Sequence, residues 1–291
     1  MSAERFIMAE ARVLERRLYE TCVLGAPPDG VVAALRAYRN GDGGFGYGLE
    51  PDKRAPDSLP LDVEIALRTL ADAGVTAADP DTAGLIGPAC NFLAGVADER
   101  GAVSLAAPVI ERYPRAEHMT DWTYEPGVNP TAGLAGLLYR LGFDHPWREA
   151  ATAYCWAELE AGTLPDDAHA LSEVLVFLEH VPDRDRADRH AGRVGEMLRK
   201  TAMFHLEPGT PGYGMTPLQI APEPASRWRS LFTGEQIEGH LDQLVADQQE
   251  DGGWPITWDP PSTAARLEWR GIVTVAAVRT LAAYGRAPAR P

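Results

Sequence analysis

The stretch that decides the fold is LDQLVADQQEDGGWPITWDPPSTAARLEWRGIVTVAAVRTLAAYGR, residues 241–286. Apolar residues recur at helical spacing around its start, at Ile237, Leu241 and Leu244. Asp251-Gly252-Gly253 follows, and glycine supplies the positive φ with which many helices end. A second apolar stripe at helical spacing comes after the turn. The stretch therefore predicts two helices joined by a glycine turn.

The composition predicts one globular domain over residues 1–291 and limits its partners. The chain is 45% hydrophobic, and no Ser-, Gly- or Pro-rich linker divides it. Its formal charge of -15 argues against nucleic acid and against an anionic membrane surface as partners. No segment reaches the roughly 20 apolar residues that a membrane span needs, so we expect no integral membrane segment.

The cysteines and the N-terminal sequence bear on the compartment. Cys22, Cys90 and Cys155 are odd in number and far apart, which favours reduced core thiols over disulfides. The start, MSAERFIMAE, lacks the basic segment and long apolar run of a signal peptide. These features predict a cytoplasmic protein.

The glycine turn has copies elsewhere in the chain. It recurs at residues 40–45, Asn-Gly-Asp-Gly-Gly-Phe, and residues 98–103, Asp-Glu-Arg-Gly-Ala-Val, form a degenerate copy. A second internal repeat relates residues 46–51, Gly-Tyr-Gly-Leu-Glu-Pro, to residues 212–217, Gly-Tyr-Gly-Met-Thr-Pro. Repeats of this kind indicate a fold assembled from similar units.

Helical periodicity between the repeats predicts about ten helices and no alternating strand pattern. The first helix is expected over residues 3–24 and another over residues 184–203. Two proline-rich stretches, 104–128 and 206–232, predict long irregular segments. Gly133 and Gly136 lie in a leucine-rich helical pattern, where they would permit a close neighbour.

The run Gln248-Gln249-Glu250-Asp251-Gly252-Gly253-Trp254 resembles the glutamine–tryptophan repeat of the squalene and oxidosqualene cyclases. Protein prenyltransferases and the complement thioester domain belong to the same superfamily. The resemblance implies an all-α fold, an α/α toroid of up to six helical hairpins, with inner helices around a central cavity and outer helices behind them. A full ring has twelve helices, so either a further helix lies in 206–232 or the ring is incomplete. An open helical array is the alternative.

Acidic residues follow the first glycine turn, where a cavity mouth would lie. Glu50 and Asp52 lead a run that continues with Asp57, Asp62 and Glu64. Carboxylates in such a run could hold Mg²⁺, and through it a diphosphate, or could supply a catalytic acid. The structural alternative is that these residues cap helices and pair with the neighbouring Lys53 and Arg54.

A second acidic candidate opens a later helix. Class II terpene cyclases protonate an alkene with an aspartic acid, commonly from an Asp-x-Asp-Asp motif, and only Asp166 and Asp167 match it here. Paired carboxylates can keep one proton and so act as a general acid. Alternatively, Asp166 is an N-cap and Asp167 favours the helix dipole. His169 is expected either to orient a carboxylate or to face solvent or core.

Aromatic residues in or beside the predicted loops form the substrate-binding candidates. Aromatic faces stabilise carbocations, bind polyprene chains and stack on sugar rings. In the superfamily, the aromatic residue of the turn packs between helices, so Trp254 has a structural alternative. The expected substrate-binding residues are Tyr47, Arg54, Trp122, Tyr124, His169, Tyr213, Trp254, Trp258 and Trp269.

The resemblance implies a terpene cyclase-like enzyme that takes a polyprenyl, or isoprenoid, substrate into an aromatic-lined central cavity. Acid-initiated carbocation chemistry is favoured over ionisation, because the chain lacks an Asp-Asp-x-x-Asp motif. No zinc ligand set is recognised, and Mg²⁺ is expected only if the substrate is a diphosphate. The alternatives are a carbohydrate-active α/α-barrel hydrolase or lyase, and a non-catalytic binding scaffold.

Overall fold

Helices account for the regular structure of the chain. The computed structural model describes residues 1–289. Within that range there are twelve α-helices and, apart from isolated bridges, no β-structure, so the all-α prediction is confirmed. The helices are α1 (Ala3–Glu10), α2 (Val13–Leu24), α3 (Asp29–Leu35), α4 (Pro60–Asp72), α5 (Pro80–Val96), α6 (Val128–Leu141), α7 (Pro146–Ala161), α8 (Ala168–His180), α9 (Arg184–Leu198), α10 (Pro217–Ile220), α11 (Gly234–Ala246) and α12 (Thr263–Ala283). Over residues 1–289, no helix is long and apolar enough to cross a membrane.

Three turns share one pattern of backbone hydrogen bonds. They comprise residues 40–44, 98–102 and 249–253, which follow α3, α5 and α11. In each turn the first residue donates its N–H to the carbonyl of the fifth, and the fourth donates to the carbonyl of the first, at 2.8–3.1 Å. The copy that the sequence marks as degenerate therefore has the same backbone geometry as the other two.

The fourth residue of each turn is a glycine that abuts another element. These glycines are Gly43 (φ 92°), Gly101 (φ 87°) and Gly252 (φ 92°). A Cβ there would lie 2.5 Å from the carbonyl oxygen of Pro88 in α5, 2.8 Å from Ala150 in α7, and 2.3 Å from the carbonyl oxygen of Ser2 beside α1. The turns after α3 and α5 thus contact α5 and α7, and the turn after α11 contacts the start of α1.

The two ends of the described chain pack together. Helix α12 lies against both α1 and α2, and the N-terminal ammonium group donates to Glu250 O at 3.1 Å. Glu268 of α12 forms a bidentate ion pair with Arg54, which lies in the segment after the first glycine turn. Arg270 instead pairs with Asp251 of its own turn, at 2.7 Å. The last hairpin is therefore joined to the first.

Helix α6 packs between α4 and α8 in the middle of the chain. At Gly136 the backbones of α6 and α8 approach so closely that a Cβ would lie 2.6 Å from Val176 O. At Gly133 a Cβ would fall 1.6 Å from a carboxylate oxygen of Glu173. The close neighbour predicted for these two glycines is α8.

Two predictions of helix extent were wrong. The segment 3–24 is two helices, because Ala11 and Arg12 are extended where Arg12 turns its guanidinium to the carbonyls of Gly48 and Leu49. This break lets Phe6 and Leu14 both reach the core, while Val13 is 58% exposed. The helix expected over 184–203 ends at Leu198.

The irregular stretch 206–232 contains the short helix α10, which begins with a Thr216–Gln219 capping box.

Candidate functional site

Asp52 lies at the centre of the candidate site. The backbone positions it, because Asp52 O accepts a hydrogen bond from Ala116 N at 2.7 Å. Its Oδ1 accepts from the indole of Trp269 at 2.8 Å, and its Oδ2 accepts from the indole of Trp258 at 2.9 Å. His118 Nε2 is 3.6 Å from Oδ2. Segments far apart in the chain therefore converge on one carboxyl group.

Burial and hydrogen bonding act in opposite directions on Asp52. The residue is 3% exposed, and burial raises the pKa of its carboxyl group. The indole donors of Trp269 and Trp258, and the charge of Lys53, favour the carboxylate and oppose that rise without cancelling it. The result is a carboxyl group that holds its proton more tightly than an exposed aspartate does.

Aromatic rings extend from Asp52 in a row. Trp269 and Trp258 meet edge to face, with ring centroids 5.1 Å apart and planes at 80°. Trp258 meets Tyr213 in the same way, at 5.5 Å and 83°. The Tyr213 hydroxyl lies 2.6 Å from His169 Nε2. We call these four residues the aromatic row.

Solvent reaches the Tyr213 end of the aromatic row. Tyr213 is 42% exposed, yet desolvation, followed by the charges of Asp52 and Asp167, raises the pKa of its phenol to about 12. Burial lowers the pKa of His169, against the charges of Asp167 and Glu64. At neutral pH the phenol is therefore a proton donor and the imidazole is neutral.

A buried ion cluster lies beside Asp52. The ammonium group of Lys53 is 2.9 Å from Asp62 Oδ2 and 3.3 Å from Glu50 Oε2, and Asp62 Oδ1 accepts the Glu50 N–H. Burial raises the pKa of Glu50 to about 7, and Lys53 opposes this. All three side chains are almost completely buried. This cluster fixes the loop that carries Asp52.

A second ion cluster joins α4 to α8 beside Gly133 of α6. Arg68 is 2.6 Å from Glu64 and 2.9 Å from Glu173, and Gly133 leaves the room that the Glu173 carboxylate occupies. Burial raises the pKa of Glu173 to about 8, while Arg68 lowers it. The side chain of Arg68 is 38% exposed, so solvent reaches this ion cluster. The surface that α4, α6 and α8 present here is charged.

The structure separates the two groups of predicted acids. Asp167 is the N-cap of α8, where its Oδ1 accepts the Ala170 N–H at 2.8 Å, and Asp166 is exposed. They are not paired with each other. Asp52 contacts the aromatic row, whereas Glu50 takes part in the Lys53 cluster. The structural alternative foreseen for Asp57, helix capping, is not seen, because α4 begins at Pro60.

The predicted substrate-binding residues divide as well. The aromatic row contains four of them, Trp258, Trp269, Tyr213 and His169. Trp254 is buried and its indole donates to Leu244 O at 2.7 Å, which is the structural role expected of the aromatic residue in the turn. Four others also lie outside the row. Trp122 and Tyr124 pack on a separate small apolar cluster around Ile110, and Tyr47 is 55% exposed with a positive φ. Arg54 is engaged by Glu268.

His118, Arg68 and Glu173 were missed in the sequence. His118 lies in an irregular segment whose path depends on tertiary contacts, so no local pattern places it beside Asp52. Arg68 and Glu173 lie on different helices and are 105 residues apart. The one available signal was the pair of small residues Gly133 and Gly136, which indicated that α6 has a close neighbour.

Two surface depressions lie elsewhere. One of about 510 Å³ is lined by residues of the first glycine turn together with Asp57, Ser58 and Tyr113. The other, of about 340 Å³, is bordered by Asn129, Tyr154 and Asp167. Neither includes Asp52. Among residues 1–289, no group of three or more His, Cys, Asp or Glu side chains is arranged to hold a metal ion.

The chain was compared with known proteins. No model of a protein family and no curated protein matches it.

Proposed function

We propose that the chain is a single α/α toroid in which six helical hairpins close into a ring. The contacts of the glycine turns support this arrangement. The turns after α3 and α5 each contact the odd-numbered helix that comes next, and the turn after α11 makes the same contact with α1. The pairing of α12 with α1 and α2 supports closure over an open array. The odd-numbered helices would then form the outer ring and the even-numbered helices the inner ring.

We further propose that the mouth of this ring is an acid–base active site for a polar, hydroxyl-bearing substrate, in the manner of a carbohydrate-active hydrolase or lyase. The observation that carries the proposal is the convergence of Asp52, the aromatic row and His118 beside a charged inner wall. A wall that contains Arg68, Glu64 and Glu173 suits a substrate that can hydrogen-bond, because apolar groups leave buried charges without solvation.

The side chains divide into complementary roles. Asp52 accepts a proton from the substrate or stabilises positive charge that develops on it. Tyr213 donates a proton, and His169 exchanges that proton with the phenol across their 2.6 Å contact. Trp258 touches Tyr213 and donates to Asp52, so a sugar ring stacked on it would lie between the proton acceptor and the proton donor.

The test is turnover of an oligosaccharide panel, with new reducing ends and unsaturated products measured separately. Asp52→Asn and Tyr213→Phe are each expected to lower kcat by about 10²–10⁴-fold. Asp185→Asn changes an exposed carboxylate on α9 and is the matched control. No turnover of any oligosaccharide by the unmodified protein would count against the proposal, as would unchanged kcat in both variants.

The isoprenoid cyclase predicted by resemblance is the second candidate. It is favoured by one observation, the row of Trp269, Trp258 and Tyr213 beside a carboxyl group whose pKa is raised, since these are the groups that protonate an alkene and stabilise a carbocation. The test is incubation with farnesyl and geranylgeranyl diphosphates, with and without Mg²⁺, followed by product analysis. Cyclised products that disappear in Asp52→Asn would establish it over the polar-substrate proposal.

A further inference from the structure

The charge balance around Asp52 is unusual, because within residues 1–289 no lysine or arginine forms an ion pair with its carboxylate. Both oxygens accept from neutral indole N–H groups, and His118 is the nearest basic group, at 3.6 Å. Lys53, the next residue in the chain, has its ammonium group between Asp62 and Glu50. The Asp52 carboxyl group, which is 3% exposed, therefore borders the aromatic row, and the charge of Lys53 offsets that of its carboxylate only in part.

Two further cations of the site, Arg68 and Arg54, are also paired with carboxylates. Arg68 is shared by Glu64 and Glu173, and Arg54 is held by the bidentate carboxylate of Glu268. The guanidinium groups of Arg68 and Arg54 are therefore already paired and do not offer a binding site for an anionic group of a ligand. Each shared cluster is nearly balanced in charge, because burial raises the pKa of Glu173 to about 8 and that of Glu50 to about 7, so the attraction of the mouth for a cation comes from Asp52.

The aromatic row adds a second source of attraction for a cation. The rings of Trp269, Trp258 and Tyr213 stand successively near-perpendicular, at 80° and 83°. The face of an aromatic ring is the negative end of its quadrupole, and such faces bind ammonium groups best when a carboxylate is close. Tyr213, at the open end of the row, is 42% exposed and accessible to a ligand.

We propose that the site recognises an ammonium group, and that the substrate is a protonated amine, most simply an amino sugar. The ammonium group sits against the aromatic row with Asp52 as its counter-ion. The sugar part of this assignment rests on the proposed function, whereas the ammonium part does not. The proposal excludes uronates and phosphorylated sugars as preferred ligands, because Lys53, Arg54 and Arg68 already pair with carboxylates.

The experiment is a calorimetric titration with a matched set of tetrasaccharides at a pH where the amine is protonated. The set comprises a glucosamine tetramer, its N-acetylated form, a glucose tetramer and a galacturonate tetramer. The glucosamine tetramer is expected to bind at least about tenfold more tightly than the acetylated form, and the advantage should shrink as salt is added. Equal or tighter binding of the acetylated, neutral or anionic tetramer overturns the ammonium assignment and leaves the proposed function standing.

A non-sugar probe separates the two claims. Hexyltrimethylammonium is compared with its neutral analogue, in which carbon replaces nitrogen. Selective binding of the ammonium probe, with no sugar bound, supports the ammonium site and counts against the proposed function. Selectivity for neither sugar amines nor this probe overturns the inference.

Two variants locate the site. Asp52→Asn removes the counter-ion, and Trp258→Leu removes a ring while leaving Asp52 in place, so the second variant serves if the first fails to fold. Each is expected to weaken glucosamine-tetramer binding by about 3–30-fold and glucose-tetramer binding by less, because only the glucosamine tetramer loses its ammonium contact. An equal loss for both tetramers in Trp258→Leu would show a stacking role without charge recognition, and would overturn the assignment. Asp185→Asn is the control for loss of a distant surface charge.

Discussion

At the scale of single residues, Glu173 should make stability depend on pH. Burial raises its pKa to about 8 in the folded protein, from an ordinary value of 4.5. The folded state therefore binds this proton more tightly than the unfolded chain. Its stabilising contribution is complete below the ordinary pKa and is lost as the pH rises through about 8.

Glu173→Gln is expected to reduce that fall in the free energy of unfolding. The reduction is at most about 1.4 kcal/mol per pH unit, confined to the window between the two pKa values. Urea unfolding at several pH values from 5 to 8 measures it. Glu196→Gln alters an exposed glutamate on α9 and should leave the slope unchanged. Parallel stability curves for the unmodified protein and Glu173→Gln would show that Glu173 titrates normally.

Asp52 shows what residue-level reasoning can and cannot predict. The sequence marks Asp52 as a candidate because an acidic run follows a glycine turn. Its partners Trp258 and Trp269 are 206 and 217 residues away, so no local pattern pairs them with it. Asp167 was a candidate through its motif, yet it is an N-cap, and the sequence is compatible with both roles.

At the scale of the element, the glycine turn explains why two short stretches were enough to predict the joints between consecutive helices. Its requirement is local, because a backbone with φ near 90° excludes side chains at Gly43 and Gly252. The break at Ala11 and Arg12 depends instead on carbonyls of the distant residues Gly48 and Leu49. Helical periodicity alone therefore predicts one continuous helix through Ala11 and Arg12.

Gly252→Ala should destabilise the protein by about 2 kcal/mol or more, because it adds strain at a positive φ and a collision with Ser2 O. Gly41→Ala lies in the first glycine turn, where nothing stands within 4 Å of the added Cβ, and should change stability by no more than about 0.5 kcal/mol. Thermal and urea unfolding of both variants checks the difference. Similar losses in the two would refute the role given to the fourth turn position.

At the scale of the whole molecule, the proposed ring closure predicts that a destabilising change at one end of the chain also loosens the other end. Phe6 of α1 is 1% exposed and contacts the last turn, where a Cβ on Gly253 would lie 2.8 Å from its ring. Phe6→Ala should cost about 3–5 kcal/mol. In a closed ring, amide hydrogen exchange should rise both in α1 and α2 and in α11 and α12.

Hydrogen exchange measured by mass spectrometry tests this prediction. Phe92→Ala is the matched control, because Phe92 of α5 makes the corresponding contact with Gly44 of the first turn. Its effect should centre on α3 to α6. Faster exchange in α1 and α2 alone after Phe6→Ala would indicate an open array in which the first hairpin is merely terminal.

The most direct test of the account is NMR of the tryptophan indole N–H groups, because Asp52 is the group on which both the site and the junction of the chain ends depend. In ¹⁵N-tryptophan-labelled protein, the signals of Trp258 and Trp269 are assigned with phenylalanine variants and followed through a pH titration, with His118→Ala as the control for the neighbouring imidazole. We expect the two signals to move together, with one apparent pKa above the usual aspartate range, and to lose that titration in Asp52→Asn. Independent titrations, or none, would contradict the shared carboxyl group.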